Sequence, residues 1–351
     1  MLILFGVSKP EAARRNRANQ KIREPALFPH LSEIMVDRLL AKIFHDYYVR
    51  NYSQAKIAQR CNISRQRVQR ILADERYRAM VEVRIRVPDN IHTELESELE
   101  DKFGVEEFAV VDIRGAGTKS LEQALGEAAA DYLMNVMADD MSIAITWSNV
   151  LLKMTGAISR SMNASYKKFR NVKIIQSIGA LGEVKLEFHS LEIAQRLAKI
   201  FDARLYFLLA PVVAANPKAA KEFLREDMVL ETLEEFRQTS LFLAGVGSMS
   251  GESSLLRSGA VSGELEAELR AKGAVGDINA IFFDHEGKHV RSGLDARIVG
   301  PTMTDLRRTQ RLVAVAGGPN KYAALLGVAR GRLAKVIITD FDTGRRLIRQ
   351  K

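Results

Sequence analysis

Apolar residues recur at helical spacing from Met35 onward, at Val36, Leu39, Leu40, Ile43, Phe44 and Tyr47, and predict an amphipathic helix to about Tyr48. Two shorter helical segments follow within residues 53–72. The period then changes to two: Val81, Val83, Ile85 and Val87 alternate with Glu82, Arg84 and Arg86, as in a half-buried strand, and Pro88 ends it. Leu95, Leu99 and Phe103 stand four residues apart, which makes 91–103 an acidic amphipathic helix, expected as a linker or a dimer contact. Beyond Gly104, β-type runs at 108–111, 142–146, 172–177, 204–209, 241–246, 312–316 and 334–339 alternate with helical stretches, among them 121–138, 190–200 and 321–327. That alternation predicts an α/β, doubly wound parallel sheet.

Charge divides the chain where the pattern does. The chain of 351 residues carries a formal net charge of +9. Residues 1–87 hold 18 Lys and Arg against 8 Asp and Glu, a net of +10, which leaves −1 for the rest. A basic module joined to a near-neutral one points to a nucleic-acid head with a separate sensor or enzyme. The expected organisation is a basic, poorly ordered arm over 1–34, a DNA-binding domain over 35–88, a linker helix over 89–103 and an effector and oligomerisation domain over 104–351. A single cysteine, Cys61, excludes an internal disulfide framework and argues against a structural zinc. The apolar start, Met1 to Val7, is shorter than a signal-peptide core, and no later run reaches a membrane span, so a cytoplasmic protein without a membrane partner is expected.

Residues 54–72, QAKIAQRCNISRQRVQRIL, meet the steric demands of two helices joined by a tight turn. Ala58 is small where the helices approach, Asn62 tolerates the left-handed conformation of the turn, and Ile57, Ile63, Val68 and Ile71 supply a small core. Ser53 and Ser64 stand where the two helices need caps. With Ser64 at its start, the second helix projects Arg65, Gln66, Gln69 and Arg70 away from Val68 and Ile71, with Arg67 beside them. Arginine pairs with guanine and glutamine with adenine, so this helix is expected to read bases in a major groove. Lys56 and Arg60 are placed to meet phosphates, and Ser53, Gln54 and Ser64 are also expected at the DNA-binding surface. A solvated basic helix in an ordinary three-helix bundle is the competing reading.

Glycine-containing turns follow several predicted strands: Ser177-Ile178-Gly179 with Gly182, Gly245-Val246-Gly247-Ser248, Gly273 to Ile278, and Ala316 to Lys321. Open α/β sheets bind ligands at such strand ends. Ser250 stands where a dinucleotide fingerprint would have its last glycine, so neither that cofactor nor another is expected. Read without a ligand, these glycines serve their turns, Asp277 is a helix cap and Lys321 a solvated helix residue.

Taken in order, the helix-turn-helix, the loop at Gln176–Gly182, Gly245-Val-Gly247, Gly273-Ala-Val-Gly-Asp277, Phe282-Phe-Asp284, Ala316-Gly-Gly-Pro-Asn-Lys321 and Thr339-Asp340 resemble the SorC family of sugar-responsive bacterial transcriptional regulators, over nearly everything from Met35. The resemblance implies a winged-type DNA-binding head on a Rossmann-like sugar-binding domain related to sugar-phosphate isomerases, assembled as homodimers or homotetramers. It implies that Asp277 accepts hydroxyl hydrogen bonds, that Lys321 balances a phosphate or bonds a hydroxyl, and that Ser177–Gly179 and Gly245–Ser248 cradle the ligand, with Asp340 a less certain member. The implied partners are operator DNA and a sugar, polyol or sugar phosphate. Two departures stand out: the turn around Trp147 lacks glycines, and Ser248-Met249 replaces a pair of small hydroxyl residues. The rival functions are an isomerase-like enzyme, for which Asp277, Asp284 or Asp340 would be the acid/base group, and a DNA-binding protein whose large domain only oligomerises.

Overall fold

The computed structural model describes residues 4–6, 38–74, 82–84, 91–114, 120–161, 168–180, 184–249 and 254–350. The chain divides into two compact units, Met1–Pro88 and Asp89–Lys351.

In the first unit, helix α1 (38–44) runs into a π-turn over His45–Val49 and is followed by α2 (Gln54–Cys61) and α3 (Arg65–Ala73). Strand β1 (Leu4–Gly6) pairs antiparallel with β2 (Glu82–Arg84), Phe5 opposite Val83. Three residues of the arm expected to be unordered therefore belong to a sheet. The remainder of that arm and the ends of the strand expected over 80–87 lie outside the described residues.

The second unit begins with α4 (Thr93–Phe103), β3 (Glu107–Val111), α5 (Leu121–Val136), β4 (Ser142–Ile145), α6 (Asn149–Ser161), β5 (Lys173–Gln176), α7 (Val184–Phe201) and β6 (Arg204–Tyr206). It continues with α8 (Pro217–Phe223), α9 (Asp227–Arg237), β7 (Leu241–Gly245), β8 (Gly247–Ser248), α10 (Ser254–Arg257), α11 (Gly263–Ala271), β9 (Ala274–Ile278) and β10 (Ile281–Asp284). The last elements are α12 (Met303–Arg308), β11 (Leu312–Val315), α13 (Tyr322–Arg330), β12 (Val336–Asp340) and α14 (Phe341–Arg349). Seven parallel strands form a sheet in the order β3-β12-β11-β7-β4-β5-β6. From β4 the chain winds outward to β5 and β6, and from β7 it winds the other way to β11 and β12. The crevice between β4 and β7 is thus the topological switch point, where open α/β sheets hold ligands.

Both faces of the sheet are covered, and period-two geometry sorts the side chains between them. Leu241 and Leu243 of β7, Val313 and Val315 of β11, and Val336 and Ile338 of β12 pack with α5, α6 and α7. The intervening Phe242, Ala244, Ala314 and Ile337 join the opposite core, built with α4, α9, α12, α13 and α14. Near-continuous apolar strands follow from that double burial.

The helix expected as a linker is packed into the second unit. Leu99 and Phe103 are buried in its core. Glu100 and Glu96 also accept hydrogen bonds from the backbone N–H groups of Phe108 (2.9 Å) and Val110 (2.8 Å). Those N–H groups lie on β3, an edge strand, so α4 closes an edge that would otherwise template further pairing. Burial raises the Glu96 carboxyl above its ordinary range, against the pull of the Val110 N–H.

A second, antiparallel sheet, β10-β9-β8, corrects the reading of Gly273–Ile278 as a turn. Only Gly273, at φ +82°, ends a helix; Ala274 to Ile278 form a strand. Gly276 is required there by close approach, since a Cβ would lie 2.5 Å from both the Ala324 Cβ and the Gly247 carbonyl oxygen. Asn279 and Ala280 make the two-residue loop between β9 and β10, with φ of +55° and +64°. Two positive φ values mark the hairpin turn whose twist matches the strands it joins.

Candidate functional site

The two helices of the first unit form as their local chemistry requires. Ser53 accepts from Lys56 N at 3.3 Å and Ser64 from Arg67 N at 3.2 Å, so each hydroxyl satisfies an N–H that the first helical turn leaves open. Asn62 occupies the left-handed conformation, φ 52° and ψ 46°, between them. Ile57 and Val68 are fully buried against Ile43, with Ile63 and Ile71 half-buried around them. Around the rest of α3, Arg65, Gln66, Arg67, Gln69 and Arg70 are all exposed. Gln54 is half-buried, and exposed Lys56 holds its Nζ 3.8 Å above the Tyr52 ring.

Arg60 departs from expectation. Its Nε donates to Asp46 Oδ2 at 3.1 Å, and the Asp46 carboxylate is only 2% exposed. A carboxylate buried in so small a core needs a charged partner, and Arg60, with Arg50 at 3.8 Å, supplies one. Arg60 is therefore committed to fastening α2 to the π-turn. The fourteen-residue separation hid that pair from a reading of local pattern.

In the second unit a cleft of about 390 Å³ opens at the carboxyl ends of β4, β7 and β11. The chain leaving β4 contributes Thr146, Trp147, Ser148 and Asn149; the β7–β8 connection contributes Gly245, Val246 and Gly247; the turn after β11 contributes Ala316, Gly317 and Lys321. Asp277 and Asn279, from the small sheet, close one wall with Ile178, and Glu122 stands at the start of α5.

Asp277 is the buried charge of this cleft, 7% exposed. Burial pushes its carboxyl up to about 6, opposed by the nearby Lys321 charge and by the hydrogen bond its Oδ2 accepts from Ala280 N at 3.1 Å. The second oxygen lies against Gly247, where a Cβ would come within 1.8 Å of Asp277 Oδ1. Gly245 is held similarly close: its N–H donates to Thr146 Oγ1 at 3.1 Å, and a Cβ would lie 2.7 Å from the Ser148 Cβ. Asn279 is oriented from behind, its Nδ2 donating to Ser177 O at 3.1 Å while its Oδ1 lies 2.9 Å from the Ser177 hydroxyl.

Of the residues expected at the effector site, the structure brings Ile178, Gly245, Val246, Gly247, Asp277 and Lys321 together around this cleft. Ser177, Gly179, Ser248 and Asp340 lie outside its lining. Ser177 is buried and positions Asn279. Gly179 packs on the Ala210 carbonyl, which a Cβ would meet at 1.9 Å. Ser248 is buried in β8. Asp340 caps α14 by accepting from Thr343 N at 3.0 Å and holds Gly318 N at 2.6 Å. Among the further lining positions are the polar Thr146, Ser148, Asn149 and Asn279, none of which the sequence marks as a ligand contact. Asn279 takes its left-handed conformation in an Asn-Ala hairpin without the usual glycine.

A family model of a sugar-binding domain matches residues 89–349. The deoxyribonucleoside regulator of Bacillus subtilis is 30% identical over 302 residues, covering 86% of this chain and 94% of its own length. The sorbitol operon regulator of Klebsiella pneumoniae is 23% identical, covering 89% of this chain and 98% of its own length. The crystal structure of full-length SorC, the sorbitol operon regulator from Klebsiella pneumoniae, shares the fold with a TM-score of 0.67 at 23% identity, covering 89% of this chain and 99% of that one.

Proposed function

Because this chain belongs to the SorC family of sugar-binding transcriptional regulators, we propose that its first unit reads operator DNA through α3. A sugar, polyol or sugar phosphate held in the Asp277 cleft sets how tightly it does so. The observation that carries the reading is the pairing of a buried carboxylate with a half-buried lysine at the switch point of the sheet. A carboxylate accepts from neighbouring hydroxyls, and Lys321, Asn279 and Ser148 offer donors across the same cleft. Relatives named for a sorbitol operon and for deoxyribonucleosides suggest polyol and deoxyribose chemistry for the effector. Paired heads in a dimer or tetramer would favour half-sites about 10 base pairs apart, or a multiple of that.

The test is thermal melting of the full chain with D-sorbitol, 2-deoxy-D-ribose and the phosphate of each. A ligand at a hundred times its Kd adds about 2.7 kcal/mol to the folded state, which raises the midpoint of a domain of this size by roughly 5 °C or more. No shift with any of the four would favour a large domain that only oligomerises. We read the protein as a regulator and not as an isomerase, since the relatives above are regulators; turnover of either sugar phosphate by the purified protein would reverse that.

Asp277 also sets a pH signature. Its folded value, about 6, lies above the ordinary 3.8, so the folded chain holds this proton more tightly than the unfolded chain. The contribution to stability is full below pH 4 and is lost as pH rises through 6, a difference of about 3 kcal/mol. Asp277→Asn removes it. The variant, without ligand, is expected to gain stability relative to wild type between pH 4 and pH 7. A difference between the two melting curves that stays constant over that range would remove Asp277 as the titrating group. A ligand hydroxyl that bonds the carboxylate favours its charged form, so effector binding near pH 6 should release a proton.

A further inference from the structure

Asp340 lies outside the cleft, yet its bonds join the cleft floor to α14, which packs against α4, the helix by which the chain enters the second unit. Capping α14 takes one carboxylate oxygen, Oδ1, which accepts from Thr343 N. The other, Oδ2, accepts at 2.6 Å from Gly318 N, twenty-two residues earlier in the chain. Gly318, at φ +91°, belongs to the turn after β11 whose neighbours Gly317 and Lys321 line the cleft. There is no slack between turn and carboxylate, since a Cβ on Gly317 would lie 2.5 Å from Asp340 Oδ2.

The connection continues on the other side of Asp340. Phe341, the first residue of α14, packs its ring 4.4 Å from the His92 ring, with the Arg114 guanidinium 3.7 Å above it. His92 Nε2 lies 2.9 Å from Asp112 Oδ2, and Arg114 and His92 together hold the Asp112 carboxyl well below the usual carboxylate range. The His92 carbonyl accepts from Glu96 N and opens α4. At the far end of α4, Lys102 Nζ donates to the carbonyls of Leu347 (3.1 Å), Ile348 (2.7 Å) and Gln350. Helices α4 and α14 are therefore tied at both ends.

We propose that Asp340 is a positioning residue for the allosteric response: a ligand that displaces the Gly317–Gly318 turn moves the Asp340 carboxylate, and with it α14, Phe341 and the start of α4. The proposal rests on the reading of the Asp277 cleft as the effector site. Coupling of this kind requires two arrangements of the tied helices with different ligand affinities.

Asp340→Asn keeps the volume and leaves one oxygen for two N–H donors; Phe341→Ala leaves both bonds of Asp340 intact and removes the contact with His92. Full-length wild type and both variants are titrated with the DNA upstream of the gene, with and without each of the four probes named above. Probe affinity, read by calorimetry, should stay within threefold of wild type in both variants. The ratio of DNA affinities with and without probe should move at least tenfold toward one. A wild-type ratio in either variant, or a fall in probe affinity as large as the loss of the ratio, overturns the proposal. Hydrogen exchange of the free proteins separates this from the effector reading. In Asp340→Asn the amides of 92–96 should exchange at least fivefold faster together with those of 341–343, while those of β4 and β5 keep their wild-type rates. Wild-type exchange at 92–96 overturns the relay even if no probe alters DNA binding, whereas a wild type indifferent to all four probes counts against the effector reading alone.

Discussion

Gly247→Ala is expected to weaken the response to effector while the free protein keeps its affinity for operator DNA. The added methyl would stand 1.8 Å from Asp277 Oδ1 and 2.7 Å from the carboxyl carbon, far inside contact distance. Asp277 has little room to retreat, because its other oxygen is bonded to Ala280 N and the side chain is buried. The strand cannot yield easily either: Gly247 pairs with Asp277 across β8 and β9. Overpacking of this kind costs roughly 1–3 kcal/mol of stability. The larger loss is in binding, since a charge-assisted hydrogen bond contributes about 1.5–3 kcal/mol and the misplaced carboxylate forfeits it. Effector affinity should fall about tenfold to a hundredfold, measured by calorimetry, and the melting midpoint by a few degrees. An effector affinity equal to wild type would show that the ligand does not depend on the Asp277 carboxylate. Gly263→Ala, where a Cβ meets nothing within 4 Å, is the control for substitution as such.

Arg65→Ala and Gln66→Ala should each weaken operator binding by about tenfold to a hundredfold and relax the preferred sequence, because a bidentate contact to a base discriminates by roughly 1–3 kcal/mol. Both side chains are exposed on α3 and neither belongs to the small core around Val68, so the substitutions leave that core alone. Lys56→Ala is the contrast: loss of a phosphate contact lowers affinity for operator and unrelated DNA alike and reduces the salt dependence. Selection from a randomised DNA pool distinguishes the two classes. Unchanged sequence preference in both α3 variants would move base reading to another element.

The first unit was legible because its determinants are local. Capping by Ser53 and Ser64, the left-handed Asn62 and the buried pair Ile57 and Val68 all act within a few residues, where spacing specifies geometry. What escaped was the long-range pair: Arg60 reads as a phosphate contact until Asp46 is seen beneath it. In the second unit, the strand-ending glycines marked the right end of the sheet. They did not show that Gly245 yields to Ser148, Gly247 to Asp277 and Gly276 to Ala324. Each is a close approach between segments 30 to 100 residues apart, and such crowding has no local signature.

Asp340 shows the same division most sharply. In the sequence it is an acidic residue after a strand, a candidate ligand less certain than Asp277. The fold separates them: Asp277 faces the cleft beside Lys321, and Asp340 stands behind the cleft floor with both oxygens engaged by backbone N–H groups. By itself the sequence determined the helix pair, its caps and exposed basic face, the alternation of strands and helices, and the charge contrast between the halves. Those follow from periodicity and local hydrogen bonding. The tertiary structure decided which acid faces the cleft and which is bonded behind its floor, that α4 seals the β3 edge, and which turns converge on one cleft. Those depend on strand order, and strand order brings together residues that nothing in their neighbourhood along the chain could pair.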